Sequence, residues 1–246
     1  NADTLNFKPY FKKSLVLQKL KKSEEALQSA DKAISLNNKH PEIFNLKGII
    51  HENLNEDKKA LESWNRAILI KENYAEAYFN IANYYNFNDN FEKSLDNYNK
   101  ALQINKKYFL ALVNRADLYL KHQKFELALL DYNIIIEQNP KISRMHYNKA
   151  SVLNYLGQKK AAIESLNNAI DLKPKFARAF FLRGIITWQL NLHKQALFDL
   201  EKAYSLKKVS YFLNSLNILK SVLCDWKNIE KYQKELIDFV KTEEKT

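Results

Sequence analysis

Small residues, large apolar residues and polar runs succeed one another along this chain at a fixed interval of 34 residues, from Phe7 to about Ser210. Counted from Phe7 as the first slot, the eighth slot holds Ser14, Gly48, Ala82, Ala116, Ala150 and Gly184. The twentieth holds Ala26, Ala60, Ser94, Ala128, Ala162 and Ala196, and the twenty-seventh Ala33, Ala67, Ala101, Ile135, Ala169 and Ala203. Large residues recur at the fourth slot (Tyr10, Phe44, Tyr78, Leu112, His146, Phe180). At the twenty-fourth come Ala30, Trp64, Tyr98, Tyr132, Leu166 and Leu200. A period of this length marks a stacked array, because one such unit cannot bury its own apolar face and its neighbours must complete the core.

Within each cycle the apolar positions follow helical spacing twice, with a short polar break between. In the second cycle Pro41 suits the first turn of a helix, where its missing N–H costs nothing. Phe44, Gly48 and His51 follow, the polar run 53–57 interrupts, and Ala60, Trp64 and Ala67 belong to a second helix. Small residues at slots eight and twenty let the paired helices approach closely. Pro140 and Pro174 stop second helices before the next cycle begins.

Together these slots resemble the tetratricopeptide repeat, met six times at 7–40, 41–74, 75–108, 109–142, 143–176 and 177–210. Ala30 and Ile135 depart from the family's usual aromatic and alanine. The resemblance implies an all-α, right-handed superhelix of six helix-turn-helix repeats, with the first helix of each lining a concave groove. Such a groove suits an extended peptide or a partner helix.

The register fails beyond Ser210, where the next eighth slot would be Ile218 and the next twentieth Glu230. Residues 211–246 are expected to form capping helices. Tyr211, Phe212, Leu216, Leu219 and Leu223 form the apolar side of one. Asp225 is placed to N-cap another running to Val240, with Trp226, Ile229, Tyr232, Leu236 and Ile237 as its stripe. Leu223-Cys224-Asp225-Trp226 and the helix after it also resemble the segment that joins the repeats to the catalytic region in O-GlcNAc-transferase-like proteins. On that reading the chain is the substrate-recognition module of a larger glycosyltransferase.

Composition adds bounds. With 46% hydrophobic residues, 3 Gly and 4 Pro, the chain has the means for a helical core and too few turn formers for a β fold. The formal charge of +11 invites a nucleic-acid reading, but only five of the 39 cations are Arg, the side chain best suited to phosphate forks. Nucleic acid is therefore not expected as a partner. No apolar run reaches the roughly 18 residues of a membrane span, no signal peptide opens the chain, and the single Cys224 excludes an intrachain disulfide. The expectation is a cytoplasmic, non-enzymatic scaffold.

No catalytic, cofactor or metal site emerges. His40, His51, His122, His146 and His193 are scattered, and His146 occupies a core slot. Cys224 has no histidine beside it and is expected to pack inertly. Information remains at the first-helix slots two, five, six, nine and twelve, which should face the groove. Asn80, Asn114 and Asn148 share slot six. An amide ladder can bond a peptide backbone irrespective of its sequence, although Asn is also simply abundant here. O-GlcNAc-transferase-like arrays use Asn at this slot in that way. Other tetratricopeptide proteins clamp a C-terminal carboxylate; Asn83, Asn114 and Arg144 match three positions of that clamp, while Phe79 and Asn148 replace two of its cations. The candidate groove set is Asn80, Asn83, Asn114 and Asn148, with Phe79, Tyr147, Phe181 and Trp188 as apolar anchors. Arg144 and Arg178 would select acidic residues. The partner is a protein or extended peptide segment, with self-association through an end or the groove as the further option.

Overall fold

The computed structural model describes residues 6–225 and 229–243 and contains fourteen helices among them. Each 34-residue cycle holds two. They are α1 (Lys8–Lys19) with α2 (Ser23–Leu36), α3 (Pro41–Asn53) with α4 (Asp57–Ile70), and α5 (Ala75–Phe87) with α6 (Phe91–Ile104). The fourth to sixth cycles give α7 (Phe109–Lys121) with α8 (Phe125–Gln138), α9 (Ser143–Tyr155) with α10 (Lys159–Leu172), and α11 (Ala177–Gln189) with α12 (His193–Leu206). α13 (Ser210–Val222) and α14 (Ile229–Glu243) follow. The chain divides into two compact units, 1–118 and 119–246.

The turn inside each hairpin is set by one residue with left-handed backbone, always at slot fifteen: Lys21, Asn55, Asp89, Gln123, Gly157 and Asn191, at φ between 56° and 72°. The N–H of the following residue reaches back to the carbonyl five positions earlier, as from Glu56 to His51 at 2.9 Å and from Gln158 to Leu153 at 2.8 Å. This pattern satisfies the last carbonyls of the first helix, and glycine is its cheapest occupant. Here glycine takes the position once.

The small slots are all buried, and so are Trp64, Tyr98, Tyr132, Leu166 and Leu200 opposite them. Where serine replaces alanine the hydroxyl finds the facing helix. Ser14 Oγ donates to the Ala26 carbonyl at 2.8 Å and Ser94 Oγ to the Ala82 carbonyl at 2.9 Å, so slots eight and twenty exchange donor and acceptor roles. In the first unit one cluster joins α1, α2 and α3 through Leu17, Ala30, Ile43 and Ile50. A second, around Trp64 and Ile81, joins α4 and α5. In the second unit one continuous cluster runs from Ala150 through Leu200 to Leu219.

In the second, fourth and sixth cycles slot seven ties the hairpin to the one before it. Lys47 bonds Asp31 at 2.7 Å, Arg115 bonds Asn99 at 2.7 Å, and Arg183 bonds Asn167 at 2.6 Å. Arg183 also forks onto the buried Asp199 at 2.7 and 2.9 Å. Two parallel charge-assisted bonds give that pair its geometry.

The array does not stop at Ser210; it slips by one residue. Counted from Ser210, Cys224 falls at slot fifteen and takes the same left-handed conformation, at φ 52°. The Asp225 N–H then bonds the Lys220 carbonyl at 2.9 Å, as in the six earlier turns. Even the side chains at these slots pair alike: His51 Nδ1 lies 2.6 Å from Glu56 Oε2, and Lys220 Nζ lies 2.6 Å from Asp225 Oδ2. α13 is thus a seventh first helix. Its slot eight holds Asn217, buried with its amide unpartnered, where the repeats place a small residue. Asp225 bonds Lys220 at 2.6 Å; the described part of α14 begins at Ile229, so the cap expected of Asp225 falls on residues outside the described ones. Trp226 lies outside the described residues.

Candidate functional site

From α3 to α11 each first helix buries slots three and eight, while slots two, five, six, nine and twelve are exposed or half-buried except Leu46, which is buried. In the first unit these slots carry Glu42, Asn45 and Glu52 from α3, then Glu76, Phe79, Asn80, Asn83 and Asn86 from α5. Leu110, Asn114 and Asp117 follow from α7. Asn80 Nδ2 donates to Asn45 Oδ1 at 2.8 Å, bridging α5 to α3. Asn114 Nδ2 donates to Asn83 Oδ1 at 2.8 Å, and the same oxygen accepts the Tyr98 hydroxyl at 2.6 Å. The Asn80 and Asn114 amides therefore bond neighbouring first helices at other slots rather than each other.

An amide offers two N–H donors and two acceptor lone pairs, so one bond leaves most of its capacity for a ligand. Asn80 and Asn114 are each half-buried, and each donates one such bond. Asn83 differs: its oxygen already accepts twice, so its remaining capacity lies mainly in its NH2.

Two tyrosines lie under the acids of this face. Burial, then Glu76 and Glu42, raises the Tyr74 phenol well above its ordinary value. Burial and Glu76 push Tyr108 up to about 12, and burial does the same for Tyr98. Phe79 packs on Tyr108 with ring centroids 5.1 Å apart, spending part of its apolar surface inside the protein.

In the second unit the same slots present Arg144, Tyr147, Asn148 and Asn154 from α9, and Arg178, Phe181, Leu182 and Trp188 from α11. Both arginines are exposed; the aromatics are half-buried. Asn148 Nδ2 donates to the Tyr132 hydroxyl at 3.3 Å. Tyr147 packs on Phe176 at 5.2 Å, the same pair of slots as Phe79 and Tyr108. Phe181 stacks on Phe212 at 4.5 Å and meets Tyr211 edge-on at 5.2 Å.

Counting in register past Ser210 missed residues on this face. With the one-residue slip, α13 adds Tyr211, Asn214, Ser215 and Ile218 at slots two, five, six and nine. Only the left-handed backbone at slot fifteen keeps the count, and its residues share no chemistry that the sequence could show.

Elsewhere, His146 Nε2 donates to the Pro140 carbonyl at 2.7 Å within a buried setting. Cys224, expected to pack, is exposed because it occupies the turn. Among the described residues no cluster of three His, Cys, Asp or Glu is placed to hold a metal, and no helix is long and apolar enough to cross a membrane. An open cleft of about 470 Å³, lined by residues that include Asn167, Arg183 and Gln195, lies on the slot-seven side, away from these faces.

The tetratricopeptide repeat model matches residues 7–40, 75–108 and 143–176. Several solved structures are similar. The C-terminal part of a TPR repeat-containing protein from Cytophaga hutchinsonii aligns at a TM-score of 0.78 and 14% identity, covering 93% of this chain and 95% of that one. A tetratricopeptide repeat protein from Parabacteroides merdae aligns at 0.63 and 20% identity, covering 95% and 93%. YrrB, a TPR protein with an unusual peptide-binding site, aligns at 0.66 and 20% identity, covering 74% and 94%. A comparison with curated proteins gave no match. The matched segments begin and end on the 34-residue boundaries, and the fold is all-α and similar to that of solved TPR proteins.

Proposed function

We propose that the first-helix faces bind an extended protein segment, as a non-enzymatic scaffold does. The supporting observation is that Asn80, Asn114 and Asn148 occupy one slot on successive first helices. They are half-buried, and each donates one bond within the protein while keeping capacity for a peptide backbone. Phe79, Tyr147, Phe181 and Trp188 supply apolar surface beside them, and Arg144 and Arg178 give the second unit a preference for acidic residues. YrrB, similar in fold, is a peptide-binding protein by its own description.

The alternative, a recognition module of a larger glycosyltransferase, rests on Leu223-Cys224-Asp225-Trp226 and on the same asparagines. It calls for the same groove and adds a catalytic region elsewhere in the gene. Peptide-array binding by the wild type and by Asn80→Ala/Asn114→Ala/Asn148→Ala tests the groove. Loss of binding across unrelated peptide sequences supports backbone recognition, and equal binding by both proteins removes it.

A further inference from the structure

α8 breaks a rule that the other second helices keep. Slots nineteen, twenty-two and twenty-six face away from the buried positions of each second helix. Across α2, α4, α6, α10 and α12 they hold charged or polar residues at every place except Ala161 and Phe198. In α8 all three are aliphatic and exposed: Leu127 at 41%, Leu130 at 58% and Ile134 at 37%. The opposite side of α8 is already filled by Ala128, Tyr132 and Ile135, all buried, so the stripe is additional to the core. Its spacing of three and then four residues is that of a seam between two helices.

Charge sets α8 apart a second time. In a chain of net charge +11 it is the one second helix without a lysine or arginine, and it carries Glu126, Asp131 and Glu137. Glu126 and Glu137 are exposed along one edge of the stripe. A second copy would bring the same acids to that edge, and anionic membrane surfaces repel them. An apolar seam edged by acid complements an amphipathic helix whose own stripe is flanked by cations. We propose that this face of α8 is a docking site for such a basic amphipathic helix, separate from the first-helix faces and independent of what they bind.

The test uses the whole chain and two synthetic helical peptides with leucines at three-and-four spacing. One is flanked by lysines, the other by glutamates, and binding is read by fluorescence anisotropy. The lysine peptide should bind at least about tenfold more tightly than the glutamate peptide, and Leu130→Glu should cost about tenfold with the circular dichroism unchanged. Leu127→Gln should act in the same direction, and Glu126→Lys/Glu137→Lys should invert the preference between peptides. Equal binding of the two peptides, or full binding by Leu130→Glu, overturns the proposal. So does dimerisation in sedimentation that Leu130→Glu abolishes, which would assign the stripe to a second copy. Binding to anionic phospholipid vesicles that the same variant abolishes would assign it to a membrane and overturn the proposal equally.

Discussion

Gly48 and Trp64 occupy one space. A methyl group built on Gly48 would stand 2.5 Å from indole Cδ1 and 2.8 Å from Cε2 of Trp64, and closer still to Nε1. The largest residue of slot twenty-four thus faces the smallest residue of slot eight, and Trp64 is fully buried there. Gly48→Ala should destabilise by about 1–3 kcal/mol through overpacking, less the roughly 0.5–1 kcal/mol that alanine returns to a helix. Urea unfolding checks this, and Trp64→Leu should recover part of the loss in the double variant. Gly184→Ala should be far milder. Its new methyl meets Leu200 at 3.0 Å, and the fifth repeat already pairs Ala150 with Leu166 at these slots.

Gly157 is the one glycine among the seven left-handed turn residues, and a Cβ there meets nothing within 4 Å. Gly157→Ala therefore isolates backbone strain and should cost about 1 kcal/mol. The converse is Lys21→Gly, at φ 60°, which should gain a fraction of that. Equal midpoints for all three proteins in urea would contradict the reading of slot fifteen.

Asp199 is fully buried and held by both arms of the Arg183 guanidinium. Asp199→Ala should cost about 3–5 kcal/mol, because it strands a largely buried cation. Replacing both partners, as Arg183→Met/Asp199→Leu, should cost much less. Unfolding of the two single variants and the double variant measures the coupling directly.

Alkaline stability follows from groups whose protonated form the fold favours. Tyr98 and Tyr108 are pushed up to about 12 by burial, above the ordinary value of 10.0. Lys220 is raised from 10.5; its burial acts downward, but bonds to Asp225 and Glu201 outweigh it. Between the unfolded and folded values the native state holds more protons than the unfolded chain, so stability falls as pH rises. The contribution is full below about pH 10 and is lost progressively up to about pH 12. Urea midpoints should decline from there, and phenolate absorbance should show these tyrosines ionising late.

The hairpins were legible in the sequence because packing fixes residue size: Ala60, Ala67 and Trp64 declare a close helix pair without any structure. The turn residues were not, since Lys21, Asn55 and Gln123 share a backbone conformation but no chemistry. For the same reason the slip at Ser210 hid the seventh first helix. The slot-six asparagines were identifiable as a row. Their bonds were not, because Asn45 and Asn83 sit at other slots of neighbouring helices and meet Asn80 and Asn114 only once the hairpins stack. Phe79 and Tyr147 carry a similar lesson: an aromatic at slot five reads as an anchor, yet part of it packs against Tyr108 or Phe176 between repeats.

We propose that the slip makes α13 part of the binding surface as well as a cap. Tyr211 and Ile218 remain 48% and 47% exposed, and Tyr211 touches Phe181, itself a candidate anchor. Removing side chains that contribute little to the core should leave stability nearly unchanged while stripping contact area from a bound segment. Tyr211→Ala/Ile218→Ser should therefore weaken peptides that depend on Phe181 by about as much as Phe181→Ala does, with the urea midpoint held. A plain cap gives the opposite pattern: binding unaffected in Tyr211→Ala/Ile218→Ser while Phe181→Ala abolishes it. Measuring one acidic peptide against these variants and against Arg178→Glu separates the two, because the arginine variant should add salt-dependent loss that the α13 variant does not.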